Sequence, residues 1–378
     1  MVQFALDLYR FLRFSAFGAT AALPILGAAS ADQGLTGRRT LGLVGVAAAF
    51  HAFAYVHNDV CDLELDRTQP LRAAYPLVRG AVAPRTALAL ALACVPATFA
   101  LDWRLRRCSG TQADALPTPT APPARHTKGW AGRLAGRRAS CKGALNPCLQ
   151  GQVCLGAAFG LMAAYNRWGK GCPAPPLMDL AQGLGWAALL AYGALATGRR
   201  PTRLTGLLVG YEVLLILMVN GVHGALRDLG NDKDRGARTT AILFGATVGP
   251  EGGLAVPPAL AAYALALQAA LLALPLWGAL ANLAGYEPRA RATAVAGLGT
   301  LDILTVVLLG AAARGGARPA DVGMLHLILL LSTPLALVGP GLAPAPWAVL
   351  MLAHTLPLLA NGMTYDALGW AWGMASTG

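Results

Sequence analysis

The sequence predicts an all-α, polytopic membrane protein: a single membrane domain, 1–378, built as a bundle of about nine transmembrane helices. Three observations support this fold class. Hydrophobic residues make up 56% of the 378, charged residues only 13%, and the mean hydropathy is +0.52. A soluble protein of this length carries about twice that charged fraction. The excess apolar surface requires a lipid solvent, in which helices satisfy their own backbone hydrogen bonds.

A membrane-spanning helix needs roughly 20 predominantly apolar residues. Ten segments of the chain fit this description, namely 5–29, 41–57, 86–102, 150–165, 177–197, 204–226, 255–282, 293–313, 321–339 and 345–363. The last two are separated by GPGLAPAP and can be interpreted as one broken element, which gives nine or ten helices. The first ends in GAASA, similar to a signal-peptide cleavage site, but the many spans that follow favour a retained helix.

A basic, proline-rich insertion at 103–147 interrupts the domain. Its ALPTPTAPPARH stretch is poor in large apolar residues, which predicts a poorly ordered loop. The formal net charge of +12 indicates loops beside anionic lipid rather than nucleic-acid binding. Lys and Arg occur on both sets of alternate loops, so membrane orientation stays open. The seven Cys have no strong zinc-ligand spacing and are interpreted as free thiols, with pairing or metal binding of Cys108, Cys141 and Cys148 in one loop as the alternative.

Two apolar helices each lead into a group of carboxylates and then into an Arg-bearing loop. NDVCDLELD begins at Asn58, and its Asp62 and Asp66 follow at four-residue spacing. RDLGNDKDRGARTT repeats that spacing with Asp228 and Asp232. Residues four apart lie on one face of a helix, about 6 Å apart along its axis. The pattern predicts two acidic stripes at a membrane boundary.

Two facing acidic stripes suit a hard divalent cation. Magnesium prefers oxygen ligands and commonly bridges one or two carboxylates to substrate phosphates. For one such motif alone, a solvated helix end is the favoured interpretation; two motifs, each ending an apolar helix, favour a magnesium–diphosphate site. Basic side chains near both motifs are predicted to bind the phosphate oxygens; they are Arg72, Arg79, Arg227, Lys233 and Arg238.

The first of these segments, NDVCDLELDR, resembles the NDxxDxxxD motif of the UbiA superfamily of intramembrane prenyltransferases. The second, RDLGNDKDRGARTTAILFG, resembles the second DxxxD motif of that superfamily. The resemblance implies nine helices around a central cavity that opens to lipid, with Mg²⁺ and a prenyl diphosphate held between the motifs. It implies that five residues bind the metal and the diphosphate and that the four aspartates among them are catalytic. These residues are Asn58, Asp62, Asp66, Asp228 and Asp232.

The resemblance also implies roles for four further residues. Tyr165 and Asn166 take the place of a Tyr-Ser pair of the family, and Lys170 and Arg13 become additional diphosphate contacts. An allylic cation requires a dry cavity with aromatic faces. The candidates, for each of which core packing is the alternative, are Tyr55, Phe53, Tyr165, Trp168 and Tyr211.

The predicted function is Mg²⁺-dependent transfer of a polyprenyl group from a prenyl diphosphate to an aromatic, quinone-precursor-like or other lipophilic acceptor. The loop YPLVRG at 75–80 departs from the RPLPSG-like loop of quinone-pathway relatives, which leaves the acceptor open. One alternative is a terpene cyclase of the same superfamily, which ionises the diphosphate without an acceptor. Another is a non-catalytic membrane protein that binds a prenyl lipid, although such a protein has no need of both acidic motifs.

Overall fold

The computed structural model describes residues 2–32, 34–69, 72–113, 146–249, 253–314 and 319–375. These residues are almost entirely helical, which confirms the predicted fold class. One short antiparallel hairpin pairs Thr247–Val248 (β1) with Leu254–Ala255 (β2). The α-helices in chain order are α1 Val2–Phe11, α2 Phe17–Ala31, α3 Gly37–Cys61, α4 Leu63–Asp66, α5 Pro84–Ala113, α6 Pro147–Trp168, α7 Pro175–Ala196, α8 Arg203–Met218, α9 Ala225–Arg227, α10 Leu229–Asp234, α11 Thr240–Leu243, α12 Pro258–Leu280, α13 Pro288–Ala313, α14 Pro319–Val338 and α15 Pro344–Ala375.

Each of the ten predicted apolar segments contains a long helix. Eight of the described helices are long and apolar enough to cross a membrane, so the chain is an integral, multi-pass membrane protein. α7 is outside those eight because polar side chains, among them Asp179 and Gln182, lower its hydropathy. Most of α7 is nevertheless buried, since it packs between α2, α6 and α8.

Two predicted boundaries were wrong. The first apolar segment is two helices rather than one, because Arg13 adopts a left-handed backbone conformation with φ 45° and ends α1 before α2 begins. The insertion also starts later than predicted, since α5 continues through Ala113. An ion pair between Asp102 and Arg106, one turn apart, supports this extension. Residues 114–145 of the predicted insertion lie outside the described residues.

The two acidic motifs have the same backbone geometry. α3 and α4 meet at Asp62 (φ −93°, ψ 5°), and α9 and α10 meet at Asp228 (φ −96°, ψ 5°). In each motif the amide of the second aspartate, Asp66 or Asp232, still donates to the carbonyl of the first. The four-residue spacing therefore continues across both junctions, and the paired carboxylates stay on one side of the chain.

A π-helical segment, Val219–Gly224, connects α8 to the second motif. Single π turns inside α-helices frequently occur at functional sites, because the wider turn re-aims the side chains that follow. His223 in this segment hydrogen-bonds His326 of α14 at 3.0 Å, and His326 contacts Gln268 of α12 at 2.7 Å. This partly buried chain of polar groups fixes the segment against the second half of the bundle.

Candidate active site

A cavity of about 180 Å³ lies at the end of the bundle where α3, α6 and α9 stop and α7 begins. Its lining comes from both acidic motifs, although they are far apart in sequence. The structure places most of the predicted site residues around it: Arg13, Tyr55, Asn58, Asp62, Asp66, Arg72, Tyr165, Asn166, Lys170, Arg227, Asp228, Asp232 and Arg238.

The two aspartates of the first motif have different environments. Asp66 is buried and lies 3.9 Å from Arg13 Nη2 and 3.9 Å from Arg72 Nε, so two guanidinium groups offset its charge. Asp62 instead accepts a hydrogen bond from Asn58 Nδ2 at 3.1 Å. Among the described residues, no Lys or Arg forms an ion pair with Asp62.

Arg13 is held in place rather than free to swing towards a ligand. Its guanidinium pairs with Asp59, one turn before Asp62 on α3, and lies 5.5 Å from the centre of the Tyr55 ring. The carbonyl of the preceding residue, Leu12, contacts Nε2 of His51 at 2.8 Å. Asp59, the residue after Asn58 in the first motif, is therefore the principal partner of this arginine.

The second motif is paired with basic groups. Arg227 donates to both oxygens of Asp228, at 2.9 and 2.7 Å. Lys170 Nζ donates to Asp232 Oδ1 at 3.2 Å. The backbone carbonyl of Lys170 accepts from the amide of Arg238 at 2.8 Å, which ties the end of α6 to the loop after the second motif.

Negative charge in the cavity is only partly offset. Burial raises the pKa of Asp62 to about 6, although Lys170 opposes the shift. Burial also raises the pKa of Asp232, again against the effect of Lys170. Burial acts on Asp228 too, but the hydrogen bonds and charge of Arg227 outweigh it and lower the pKa of Asp228. An additional cation near Asp62 and Asp232 would therefore favour their ionised forms.

The donor groups fit magnesium. The side chains that face each other across the cavity offer carboxylate and carboxamide oxygens, which hard cations prefer. Among the described residues, no three His, Cys, Asp or Glu side chains lie close enough together to hold a metal alone. Magnesium suits such an incomplete site, because it keeps several waters and takes further ligands from substrate phosphates.

The two motifs are also joined directly. Thr68 Oγ1, in the loop after the first motif, donates to Asn231 Oδ1 of the second motif at 3.0 Å. The same hydroxyl lies 2.7 Å from the carbonyl oxygen of Leu65, so its single hydrogen is shared between the two acceptors. This contact holds the loop after α4 against α10, so the separation of the two motifs does not depend on charged groups alone.

The inner part of the cavity is aromatic. Trp186, only 5% exposed, packs edge-on against Phe50 with ring centres 5.4 Å apart and lies 6.1 Å from Tyr55. Met162 of α6 and Tyr165, one turn nearer the acidic motifs, complete this wall. Such a lining excludes water and presents π faces to a bound cation.

Five predicted site residues do not line the cavity. Arg79 pairs with Asp7 of α1, while Lys233 is exposed and Trp168 is 61% exposed. Tyr211 is buried in a separate core cluster, where its hydroxyl donates to the carbonyl of Leu330 at 2.6 Å. Phe53 likewise packs in the core, stacked on His57.

Sequence reasoning missed the contribution of α7. Asp179, Gln182 and Trp186 of this helix line the cavity, as does Asn220 of the π segment. Thr240, directly after the second motif, donates to Asp179 Oδ2. A signal was present in the sequence, because an acid inside an apolar span indicates a functional position by default.

No protein-family model matches the chain. No curated protein sequence matches it either.

Solved structures do match. A UbiA homolog from Aeropyrum pernix K1 aligns with a TM-score of 0.54 at 19% identity, covering 87% of this chain and 97% of its own. A digeranylgeranylglyceryl phosphate synthase aligns with a TM-score of 0.56 at 13% identity, covering 90% and 99%. A UbiA homolog from Archaeoglobus fulgidus, bound to GPP and Mg²⁺, aligns with a TM-score of 0.54 at 15% identity, covering 88% and 99%. Over nearly the whole length of these proteins, the chain therefore has the fold of the UbiA homologs.

Proposed function

We propose that this chain belongs to the UbiA superfamily and is a Mg²⁺-dependent intramembrane prenyltransferase. One observation carries the proposal: both acidic motifs line a single cavity, in the fold of a protein whose structure contains GPP and Mg²⁺. The shared backbone geometry at Asp62 and Asp228 adds support, because two equivalent carboxylate pairs then meet from opposite sides.

The acidic groups would hold magnesium between the motifs. Asp62, Asp228 and Asp232 supply carboxylates, and Asn58 orients Asp62 through its hydrogen bond. When bound, Mg²⁺ supplies neutralisation of the charge that develops on a departing diphosphate. Asp66 would also position Arg13 and Arg72, which lie 3.9 Å from its carboxylate oxygens.

The basic groups around the cavity would bind the diphosphate. Arg72, Lys170, Arg227 and Arg238 line it and present donors to phosphate oxygens. Lys170 interacts with carboxylates of both motifs, so it lies where the diphosphate and the metal ligands would meet. Fixed positive groups at this position stabilise the leaving diphosphate more than the bound substrate, which is what accelerates ionisation.

The apolar wall would hold the prenyl group. Tyr55, Tyr165 and Trp186 would offer aromatic faces to the allylic cation, and the buried Trp186 would help to keep out water that could capture it. The acceptor would be an aromatic, quinone-precursor-like or other lipophilic molecule. A terpene cyclase on the same fold needs the same carboxylates, and dependence on an acceptor separates the two reactions.

A product assay tests this proposal. Membranes that contain the protein are given Mg²⁺ and dimethylallyl, geranyl, farnesyl or geranylgeranyl diphosphate, with and without 4-hydroxybenzoate or 1,4-dihydroxy-2-naphthoate. We expect release of diphosphate and a lipid product whose mass corresponds to the prenyl group joined to the acceptor. A hydrocarbon or terpene alcohol formed without acceptor would instead identify a cyclase.

Variants of the acidic motifs provide the control for catalysis. Asp62→Ala and Asp228→Ala should each abolish product while the protein still inserts and folds. Asp302→Asn removes a carboxyl of α13 that does not line the cavity, so this variant should keep activity. Product formation that survives both alanine changes would contradict the assignment.

A further inference from the structure

We propose that a groove between α12 and α13, at the end of the bundle opposite the acidic motifs, binds one anionic phospholipid. The phosphate would pair with the guanidinium of Arg291, and an acyl chain would lie along the small residues of α13. The groove shares no residue with the cavity between the acidic motifs, so this inference does not depend on the proposed function.

The position of the groove follows from the helices around it. Tyr286, in its lining, also borders a smaller cavity together with Thr202, which precedes α8. From there α8 leads away to the second acidic motif. The groove has a volume of about 520 Å³, and Arg291 is the only charged residue among the described residues that line it. Its apolar walls come from α12 and α13 and include Leu280, Ala292, Val295 and Ala296.

The guanidinium of Arg291 is held in place by the end of α12. Its Nε donates to the carbonyl of Ala279 at 3.3 Å, and its Nη2 donates to the carbonyl of Leu280. Both carbonyls belong to the last turn of α12, where the helix dipole favours a cation. A guanidinium has five N–H donors, so these contacts leave three of them for a ligand.

No carboxylate offsets the positive charge beside the groove. Among the described residues, neither Arg289 nor Arg291 forms an ion pair, although Glu287 lies one turn before Arg291. Arg289 is exposed in the first turn of α13, where the helix dipole disfavours a cation. A phosphodiester supplies one negative charge and oxygens that match the donors of a guanidinium. Basic pockets between membrane helices bind anionic lipid head groups in this way.

The outward face of α13 offers a path for an acyl chain. Ala292, Ala296, Gly299 and Ile303 follow each other at spacings of four, three and four residues, which places them on one face of the helix. Ile303 is 65% exposed, so this face is turned to lipid, and a Cβ atom at Gly299 would meet nothing within 4 Å. From Arg291 to Ile303 the helix rises about 18 Å, close to half of the roughly 30 Å hydrocarbon core.

A prenyl diphosphate suits this groove less well than a phospholipid does. Its head group carries more than one negative charge and is commonly bound through Mg²⁺ and carboxylates. No carboxylate among the described residues lines the groove. Both molecules combine an anionic head with an apolar tail, so the test has to include both.

The test measures lipid binding to the purified full-length protein in detergent by native mass spectrometry. The probes are palmitoyl-oleoyl phosphatidylglycerol and palmitoyl-oleoyl phosphatidylcholine, which have the same acyl chains but different head groups. We expect phosphatidylglycerol to bind the wild-type protein at least about tenfold more tightly. Arg291→Gln should reduce this preference to less than about twofold, because a neutral amide cannot form the charge-assisted pair.

Two further variants separate this site from general effects of charge and from a damaged fold. Ala296→Phe keeps Arg291 but fills the groove with a ring, and it should weaken phosphatidylglycerol binding about tenfold. Ala296 is exposed, so the larger side chain should leave the melting temperature unchanged. Arg314→Gln removes an exposed arginine beyond the other end of α13 and should leave phosphatidylglycerol binding unchanged.

Three results would overturn the inference: equal affinities for the two lipids, unchanged phosphatidylglycerol binding in Arg291→Gln or in Ala296→Phe, or an equal loss of binding in Arg314→Gln. A competition with geranyl diphosphate, without Mg²⁺, completes the test. We expect no displacement of phosphatidylglycerol. Displacement would show that the groove is a second site for the prenyl donor rather than a phospholipid site.

Discussion

Asp62 and Asp66 lie four residues apart in one motif but have opposite surroundings. Asp66 lies between Arg13 and Arg72, each 3.9 Å away, whereas the hydrogen-bond partner of Asp62 is the amide of Asn58. A carboxylate already flanked by two guanidinium groups gains little from a metal, while one without an ion pair gains much. Asp62 is therefore the stronger candidate for direct contact with Mg²⁺.

This difference predicts two distinct variants. Asp62→Asn should raise the Mg²⁺ concentration needed for diphosphate release by about 100-fold, with little change in melting temperature. Asp66→Asn should lower the melting temperature, because it leaves two arginines with less compensation. Magnesium titrations and thermal unfolding in detergent measure both effects. Identical behaviour of the two variants in both measurements would refute the distinction.

Arg72 and Arg79 form a second matched pair. Both follow the first motif and were predicted to bind diphosphate, but only Arg72 lines the cavity, whereas Arg79 pairs with Asp7 of α1. Arg72→Ala should raise the KM for the prenyl diphosphate at least about tenfold. Arg79→Ala should change that KM less than about twofold, since exposed ion pairs contribute little. The opposite ranking in steady-state kinetics would contradict this placement.

These arginines illustrate what the sequence could and could not predict. Spacing and charge identified the acidic motifs, because four-residue periodicity places carboxylates on one side regardless of the rest of the chain. The same reasoning could not separate Arg72 from Arg79, since the partner of Arg79 comes from α1, 72 residues earlier in the chain. Trp168 was one of the aromatic candidates for the cavity, but Trp186 of α7 lines the cavity instead.

At the scale of helices, α7 connects the cavity to the rest of the fold. It packs closely on α2, where Gly27 faces the carbonyl of Leu190 and Gly193 faces the carbonyl of Pro24. A Cβ atom would lie 1.9 Å from the first of these oxygens and 2.0 Å from the second. Small residues at such crossings let helix backbones approach, which is how membrane helices gain packing energy.

Gly193→Ala should therefore separate α2 from α7. A Cβ that close to backbone cannot be relieved by a side-chain rotation, so we expect a loss of about 2 kcal/mol or more and a lower melting temperature. Gly206→Ala on α8 is the matched control, because its Cβ would meet nothing within 4 Å. Thermal unfolding of both variants in detergent makes the comparison. Equal stability of the two would show that the α2–α7 contact is not this close.

Helices of the bundle were more predictable than the breaks between them. Long apolar runs determine where a chain crosses a membrane, and each predicted run contains a helix. No residue pattern indicated the break at Arg13, because a left-handed backbone conformation is uncommon for a residue other than Gly, Asn or Asp. Contacts of Arg13 with Asp59 and of Leu12 with His51 stabilise this break, and all of them are tertiary.

For the molecule as a whole, both halves of the sequence contribute to one site. α3, α6 and α7 supply the first motif and the aromatic wall, and the end of α8 supplies the second motif through its π segment. α12, α13 and α14 pack outside this group, and none of their described residues lines the cavity. The second half of the bundle therefore supports the site through the π segment and its contact between His223 and His326.

The size of the cavity predicts the length of the prenyl donor. Its volume of about 180 Å³ is small compared with the roughly 300–1,000 Å³ of sites for drug-sized ligands. Along α7 the lining runs from Pro175 to Trp186, about 16 Å at 1.5 Å per residue. In the proposed function the diphosphate would occupy the outer part of this depth, so the prenyl chain would meet Trp186 within the first isoprene units. We therefore expect dimethylallyl and geranyl diphosphates to be better donors than geranylgeranyl diphosphate.

Trp186→Ala should shift this preference towards longer donors. Removing the indole opens the inner end of the cavity towards Phe50, and we expect kcat/KM for geranylgeranyl diphosphate to rise about tenfold relative to geranyl diphosphate. Trp168→Ala removes an exposed indole outside the cavity and should leave the ratio unchanged. Initial rates of diphosphate release with each donor give the ratios. An unchanged ratio in Trp186→Ala would mean that the chain leaves the cavity sideways between helices and that Trp186 does not limit its length.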